Sequence, residues 1–308
     1  MRLLRIVIDG REHPNYTITK AFESRFASVE TIWLERYSIP DLNKVIIQKV
    51  MSNQFDVVFM QIQRSGVIYP DTAKIMSDHS LVFNWTGDAR DNVNAYAEIG
   101  NHVISLFTNE NDVDKMSDLG FRADYLQCGY DDAHFFNKNE ENRHHSVVFC
   151  GNNYPNIFPL SSQRQLMANH LKSRFANKFR LFGSGWGGYS LGYLDEFGAN
   201  YVYNESLISI NLSHYNYKRY YSDRLITSMA SGILVLSHEY PDYRKDFIDG
   251  EHFVIWQDFN DLTEKIIYFF QNPDKAKVIA DKGCKFVTEN CKWTNRVDEF
   301  KQLINKYK

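Results

Sequence analysis

Val147-Val148-Phe149-Cys150-Gly151-Asn152-Asn153 is a short apolar run that breaks at a glycine and two asparagines. A run of β-branched and aromatic residues with that ending reads as a buried strand and a turn. Its position decides the fold. It follows Asp131 to His145, a stretch of Asp, Asn, Lys, Glu, Arg and His with little apolar content that reads as a linker between domains. Ahead of that stretch, Arg5 to Ile8, Thr31 to Leu34, Val57 to Gln61, Ser80 to Asn84 and Val103 to Thr108 have strand character. They alternate with segments of helical period, such as Leu42 to Met51 and Asn111 to Leu119, the second stopped by Gly120.

From Val147 onward the alternation starts again. Phe179 to Phe182, Leu207 to Leu212, Ile233 to Ser237 and Phe253 to Trp256 read as strands, and Ser161 to Phe175, Asp223 to Ser231, Leu262 to Gln271 and Asp274 to Lys282 as helices. Each half has the rhythm of a parallel sheet covered on both faces. The expectation is an α/β chain of two Rossmann-like, doubly wound domains, residues 1–144 including the linker and residues 145–290, facing a cleft. Residues 291–308 read as a closing helix with Val297, Phe300, Leu303 and Ile304 on one face, which is expected to cross back to the first domain. A chain of 308 residues has room for two cores of about 150 residues each.

Composition narrows the function. With 44% hydrophobic and 24% charged residues the chain is globular rather than disordered, and a formal charge of −3 gives no overall field for polyanions. Cys128, Cys150, Cys284 and Cys291 form no CxxC pair, so neither a disulfide framework nor a zinc site is expected, and a reducing cytoplasm fits. The N-terminal Met1-Arg2-Leu3-Leu4-Arg5 carries charge inside its apolar run, and no segment reaches membrane-spanning length, so neither export nor insertion is expected.

The chemistry concentrates in Tyr221-Ser222-Asp223-Arg224-Leu225-Ile226-Thr227-Ser228-Met229-Ala230-Ser231-Gly232, followed by the strand Ile233 to Ser237. Ser222 is placed as an N-cap and Gly232 as a C-terminal stop. Leu225, Ile226 and Met229 fall on one side of the intervening helix. Arg224, Thr227, Ser228 and Ser231 form a polar stripe expected to meet a ligand. A cation in the first turn opposes the helix macrodipole, and an anion beside both the guanidinium and the free N–H groups resolves the conflict. The same pattern also fits a plain crossover helix whose Arg224 is neutralised by Asp223 or another acid.

This segment resembles the glycosyl transferases group 1, in the branch that includes spore-maturation-type proteins with the GT-B fold. Arg224, Ile226, Met229-Ala230-Ser231-Gly232 and Ile233 to Ser237 match in order. Phe247-Ile248-Asp249-Gly250-Glu251-His252, Asp261-Leu262, Asn272-Pro273, Ile279-Ala280 and Trp293-Thr294-Asn295-Arg296 continue the pattern. The resemblance implies transfer of a sugar from a nucleotide-sugar donor, a UDP-sugar, with the donor on the C-terminal domain. Where the family has an acid for the ribose hydroxyls this chain has Thr227, so one charge-assisted contact is absent.

Other candidate donor contacts lie at carboxyl ends of strands, where ligands bind in open α/β sheets. Gly151 and Asn152 follow the first strand of the second half, and Gly183, Ser184, Gly185 and Trp186 follow Phe179 to Phe182. In the family the latter loop lies beside the nucleotide base, and Trp186 offers a stacking surface. The spacing is neither a dinucleotide GxGxxG nor a Walker motif, which demotes NAD and ATP. Lys218-Arg219 lies just ahead of the Arg224 helix as a further source of positive charge.

For the proton of an acceptor hydroxyl the candidates are Asp88, Asp9 and His13, all after strands of the first half, with Arg224 stabilising the leaving diphosphate. Each acid can equally cap a turn, and His13 can equally be a surface residue. No metal signature stands out, so metal-independent transfer without a resident cofactor is expected. The acceptor is open between glycan, protein, small molecule and modified DNA. Two other readings are a transferase acting on hydroxymethylated DNA bases and a non-catalytic binder of sugar nucleotides or glycans.

Overall fold

The structure, a computed structural model, describes residues 1–8, 17–52, 54–89, 92–141 and 143–308. Backbone contacts divide it into two compact units, Met1–Gly129 with Trp293–Lys308, and Tyr130–Lys292. The division falls ahead of the polar stretch read as a linker, which belongs to the second unit.

In the first unit the elements are β1 (Arg2–Val7), α1 (Thr17–Arg25), β2 (Ser28–Trp33), α2 (Ile39–Ser52), β3 (Val57–Met60) and α3 (Pro70–His79). They continue through β4 (Leu81–Thr86), α4 (Asn94–Ala97), β5 (Ile104–Phe107), α5 (Glu110–Asp118) and β6 (Ala123–Tyr125). The sheet has six parallel strands in the order β2-β1-β3-β4-β5-β6. Every residue of β3 and β5 is buried, as a parallel strand covered on both faces requires. Local chemistry fixes the helix ends: Pro70 occupies the first position of α3, and the Asn109 side chain accepts the N–H of Asp112 at 2.8 Å to cap α5.

The second unit holds β7 (His144–Cys150), α6 (Ser161–Phe175), β8 (Phe179–Phe182), α7 (Glu196–Glu205), β9 (Ser206–Asn211) and α8 (Asp223–Ala230). It ends with β10 (Leu234–His238), β11 (Val254–Trp256), α9 (Phe259–Gln271) and α10 (Pro273–Asn290). Its five parallel strands lie in the order β11-β10-β9-β7-β8. Counted from their own first strands, both sheets run 2-1-3-4-5, with a sixth strand in the first. The strand order therefore reverses between β1 and β3 in one unit and between β7 and β9 in the other, the position at which open α/β sheets bind ligands.

The last helix, α11 (Trp293–Tyr307), belongs to the first unit. Phe300 is fully buried, with its ring centroid 4.9 Å from Phe59, 5.1 Å from Phe83 and 6.2 Å from Phe22. Arg25 pairs with Asp298 at 2.8 Å and Lys306 with Asp124 at 2.6 Å on the exposed side.

Within the polar stretch, residues around Phe136, Lys138 and Arg143 form a strap over α7. Asn200 and Asn204 accept the N–H groups of Phe136 and Lys138 at 3.2 and 2.7 Å, and Arg143 donates to the carbonyls of Tyr203 and Ser231 at 2.6 and 3.1 Å. This explains why α7 is hard to foresee. Its inward face carries the two asparagines, while Phe197 and Tyr201 lie 63% and 51% exposed, so the apolar periodicity points the wrong way.

Candidate active site

β7 is buried from Ser146 through Phe149 and stops where Gly151 begins the loop. Beside it, the loop after β8 folds back to interlock. Gly151 N–H donates to Phe182 O at 3.0 Å, Asn153 N–H to Ser184 O at 2.9 Å, and Ser184 N–H to Asn152 Oδ1 at 2.8 Å. Gly183 and Gly185 have φ of +114° and +78°, and a Cβ on either would press into the backbone of Gly151 or Asn153. Glycine is required here both for the left-handed backbone and for the close approach.

Across the strand reversal, the carboxyl end of β9 continues through Leu212 into the loop that leads to α8. Arg224, in the first turn of α8, reaches back over this gap. Its guanidinium donates to Cys150 O at 3.3 Å and to Leu212 O at 3.2 Å, and its Cζ lies 4.7 Å from the Phe149 ring centroid. A Cβ on Gly151 would run into it, so the glycine makes room for the arginine. Ser222 occupies the N-cap position with extended backbone, but its hydroxyl makes no capping bond. The buried Ser222 Oγ and Arg224 Nε have no hydrogen-bond partner among the described residues.

Sequence reasoning missed a second guanidinium. Arg164, in the first turn of α6, is fully buried, donates to Leu212 O and, at 2.6 Å, to Asn152 O, and lies 4.9 Å from the same Phe149 ring. Neither Arg164 nor Arg224 has a carboxylate partner among the described residues. Asp223, weighed as the neutralising acid, instead accepts the backbone N–H of Arg224 at 2.9 Å. Among the described residues, two cations thus sit at one strand reversal with backbone carbonyls as their only hydrogen-bond partners, an arrangement that an anion complements.

His214 is the third group at this place. Burial first, then the charges of Arg164 and Arg224, push its imidazole down to about 3. The native ring therefore stays neutral where the unfolded chain takes up a proton. Its contribution to stability is fully present above the ordinary pKa of 6.5 and is lost as pH falls from there toward 3. An NMR titration of the free protein should show His214 unchanged between pH 5 and pH 8; a midpoint in that interval would rule out its burial beside the two guanidiniums.

Several sequence expectations need correction here. Trp186 is only 1% exposed; its indole N–H donates to Gly151 O at 2.7 Å and its ring meets Phe149 edge-on at 5.5 Å. It supports the loop from beneath and offers no open stacking surface. Nor is the polar stripe of α8 open. Ser228 and Ser231 are fully buried, and Thr227 is 7% exposed. Ser228 Oγ donates to Arg224 O at 2.7 Å and Ser231 Oγ to Thr227 O at 2.8 Å, because α7 and α10 cover the helix. Thr227 Oγ1 likewise donates to Arg224 O, at 3.3 Å. Arg219 is held in a two-point pair with Asp246 at 2.6 and 3.1 Å, so its charge is already matched.

Gly183, Ser184 and Gly185 remain at the surface of the loop, and Gly151 and Asn152 are half-buried at the carboxyl end of β7. Beyond β10 and β11 an open pocket of about 400 Å³ is lined by His238, Glu239, Tyr240 and Gln257 among others. It borders the loop leading to α8 through Arg219 N–H, which donates to Pro241 O at 2.9 Å. In the first unit, Asp88 is exposed in the bend after β4, whereas Asp9 and His13 lie outside the described residues. Among the described residues no group of three or more His, Cys, Asp or Glu side chains is arranged to hold a metal ion. None of the described helices is long and apolar enough to cross a membrane.

Residues 163–302 match the model of a family described as glycosyl transferase-like. No curated protein matches the chain in sequence. Among solved structures, HepE from Anabaena in complex with UDP-glucose is similar with a TM-score of 0.67 at 10% identity, covering 99% of this chain and 100% of that one. Sucrose-phosphate synthase from Thermosynechococcus elongatus gives 0.68 at 11% identity, covering 100% and 99%. A glycosyltransferase from Rickettsia africae gives 0.69 at 10% identity, covering 99% and 98%. The chain has the two-sheet α/β architecture of these GT-B glycosyltransferases.

Proposed function

We propose that this protein is a glycosyltransferase that moves a sugar from a nucleotide-sugar donor, a UDP-sugar, to an acceptor hydroxyl. The observation that carries the reading is the pair of carboxylate-free guanidiniums at the β7/β9 strand reversal, beside the start of α8. Support comes from the glycosyl transferase-like match over 163–302 and from HepE, a structural relative solved with UDP-glucose. The finer resemblance is to the spore-maturation-type branch.

In this reading the donor diphosphate lies against Arg224, the N–H groups opening α8, and Ser222 Oγ. The base lies toward the Gly183–Gly185 loop, and we assign the sugar to the open pocket beyond β10. As the bond between the anomeric carbon and the phosphate oxygen breaks, negative charge grows on the leaving diphosphate, and Arg224 stabilises it without needing a bound metal. Thr227 Oγ1, already bonded to its own helix, has little to offer the ribose, so the ribose hydroxyls depend on backbone groups more than in relatives with an acid there. Four cysteines without a CxxC pair suit a reducing cytoplasm.

We assign Asp88 the acceptor proton. Asp88→Asn should lower kcat about 100- to 10,000-fold while leaving the dissociation constant for UDP unchanged; undiminished turnover would remove Asp88 from the reaction. The function itself is checked by incubating the protein with a panel of sugar nucleotides and following release of the nucleoside diphosphate. Turnover with a UDP-sugar supports the proposal. A thermal shift with UDP-sugars but neither hydrolysis nor transfer would mark a binder.

A further inference from the structure

We propose that Arg164 is a positioning residue for the diphosphate crevice: without touching the donor, it holds the Gly151–Asn153 loop against the end of β9 and sets the place of the Arg224 guanidinium. The inference rests on the donor reading above and assigns a residue which that reading does not use.

Three observations carry it. Arg164 is 0% exposed, so a ligand in the crevice does not meet it. Its planar fork spans the strand reversal, one nitrogen donating to Asn152 O at 2.6 Å on the β7 loop and the other to Leu212 O after β9. It also shares two supports with Arg224: Leu212 O, which accepts from both, and the Phe149 ring, 4.9 Å from one guanidinium and 4.7 Å from the other.

The loop that Arg164 fixes at Asn152 is the one whose Asn152 side chain holds Ser184 N–H and whose Gly151 carbonyl accepts from Trp186. That loop leaves β7 at Cys150, whose carbonyl Arg224 also holds, so one buried side chain sets the seat of the Arg224 guanidinium. Burial, and the neighbouring charge of Arg224, lower the pKa of Arg164 well below the usual arginine value, and an anion held by Arg224 offsets the repulsion between the two guanidiniums. Lysine cannot replace the fork, because a single ammonium on a flexible stem does not reproduce two fixed N–H directions.

The test uses the full chain and UDP as the probe, with binding followed by calorimetry in wild type, Arg164→Lys, Arg164→Met, Arg224→Ala and the Arg164→Lys/Arg224→Ala double variant. Arg164→Lys should weaken UDP binding about tenfold or more, and Arg164→Met further, as expected for loss of a charge-assisted bond. In the Arg224→Ala background the Arg164→Lys change should alter the dissociation constant less than about threefold, because the effect is transmitted through Arg224.

Binding by Arg164→Lys within about twofold of wild type, or an equal loss with and without Arg224, overturns the proposal. A merely structural arginine would lower the melting temperature and leave the UDP constant in place. A second readout needs no substitution at Arg164: its Nε–H signal in ¹⁵N-arginine spectra should shift on adding UDP to wild type and stay fixed in Arg224→Ala. An unmoved signal in saturated wild type contradicts the coupling. If wild type fails to bind UDP, the donor reading falls and this inference with it; if wild type binds and Arg164→Lys binds equally well, only this inference falls.

Discussion

Arg224→Ala is expected to reduce kcat/KM for sugar transfer about 100- to 1,000-fold, equivalent to about 2.7–4 kcal/mol of transition-state stabilisation. The size follows from where the charge develops. In the ground state the diphosphate already carries negative charge, and part of the loss appears as weaker binding. The rest appears in kcat, because the bridging oxygen becomes more negative as its bond to the sugar lengthens. Arg224→Lys should recover part of the rate, since it retains the charge and loses the fixed fork. Removing the side chain also frees the carbonyls of Cys150 and Leu212, so the variant's melting temperature has to be measured alongside. A well-folded Arg224→Ala protein with wild-type kcat/KM would take the guanidinium out of the mechanism.

Phe300→Ala is expected to cost about 3–5 kcal/mol in urea unfolding of the first unit, the range for removing a buried aromatic ring. Phe300 is fully buried in α11 and meets the rings of Phe22, Phe26, Phe59 and Phe83 at centroid distances of 4.9 to 6.4 Å. Few nearby groups can shift to fill the gap, because three of the four neighbours sit on β3, β4 and α1 and are themselves anchored. A cost below about 1 kcal/mol would mean that α11 is peripheral to this core.

The strands and most of the crossover helices can be read directly from the residues, because a doubly covered parallel sheet needs unbroken apolar runs that stand out from polar turns. β8 at Phe179–Phe182 and α6 at Ser161–Phe175 agree with the periodicity at both ends, and α11 at Trp293–Tyr307 lies within the stretch read as the closing helix. Where polar residues face inward, the pattern fails. Asn200 and Asn204 turn the inner side of α7 into a hydrogen-bonding surface for the strap, and nothing local announces it. β6 has only three half-buried residues and offers too little pattern to read.

The candidate site divides in the same way. Gly151, Gly183 and Gly185 are visible because glycine after a strand is a local signal, and Arg224 because a cation in a first helical turn conflicts with the helix dipole. Arg164 is a first-turn arginine as well, but nothing in the local sequence sets it apart; only the packing against Phe149 and the reach to Leu212 O reveal its place. Trp186 shows the converse. Next to glycines it reads as an open platform, and the tertiary contacts with Gly151 and Phe149 turn it inward.

The most direct check of the central claim is a crystal structure of the full chain with UDP. Both phosphates should lie at the carboxyl ends of β7 and β9, with the Arg224 guanidinium turned onto them and the first N–H groups of α8 within hydrogen-bond distance. UDP ordered at another edge of either sheet, with Arg224 still directed only at the carbonyls of Cys150 and Leu212, would contradict it.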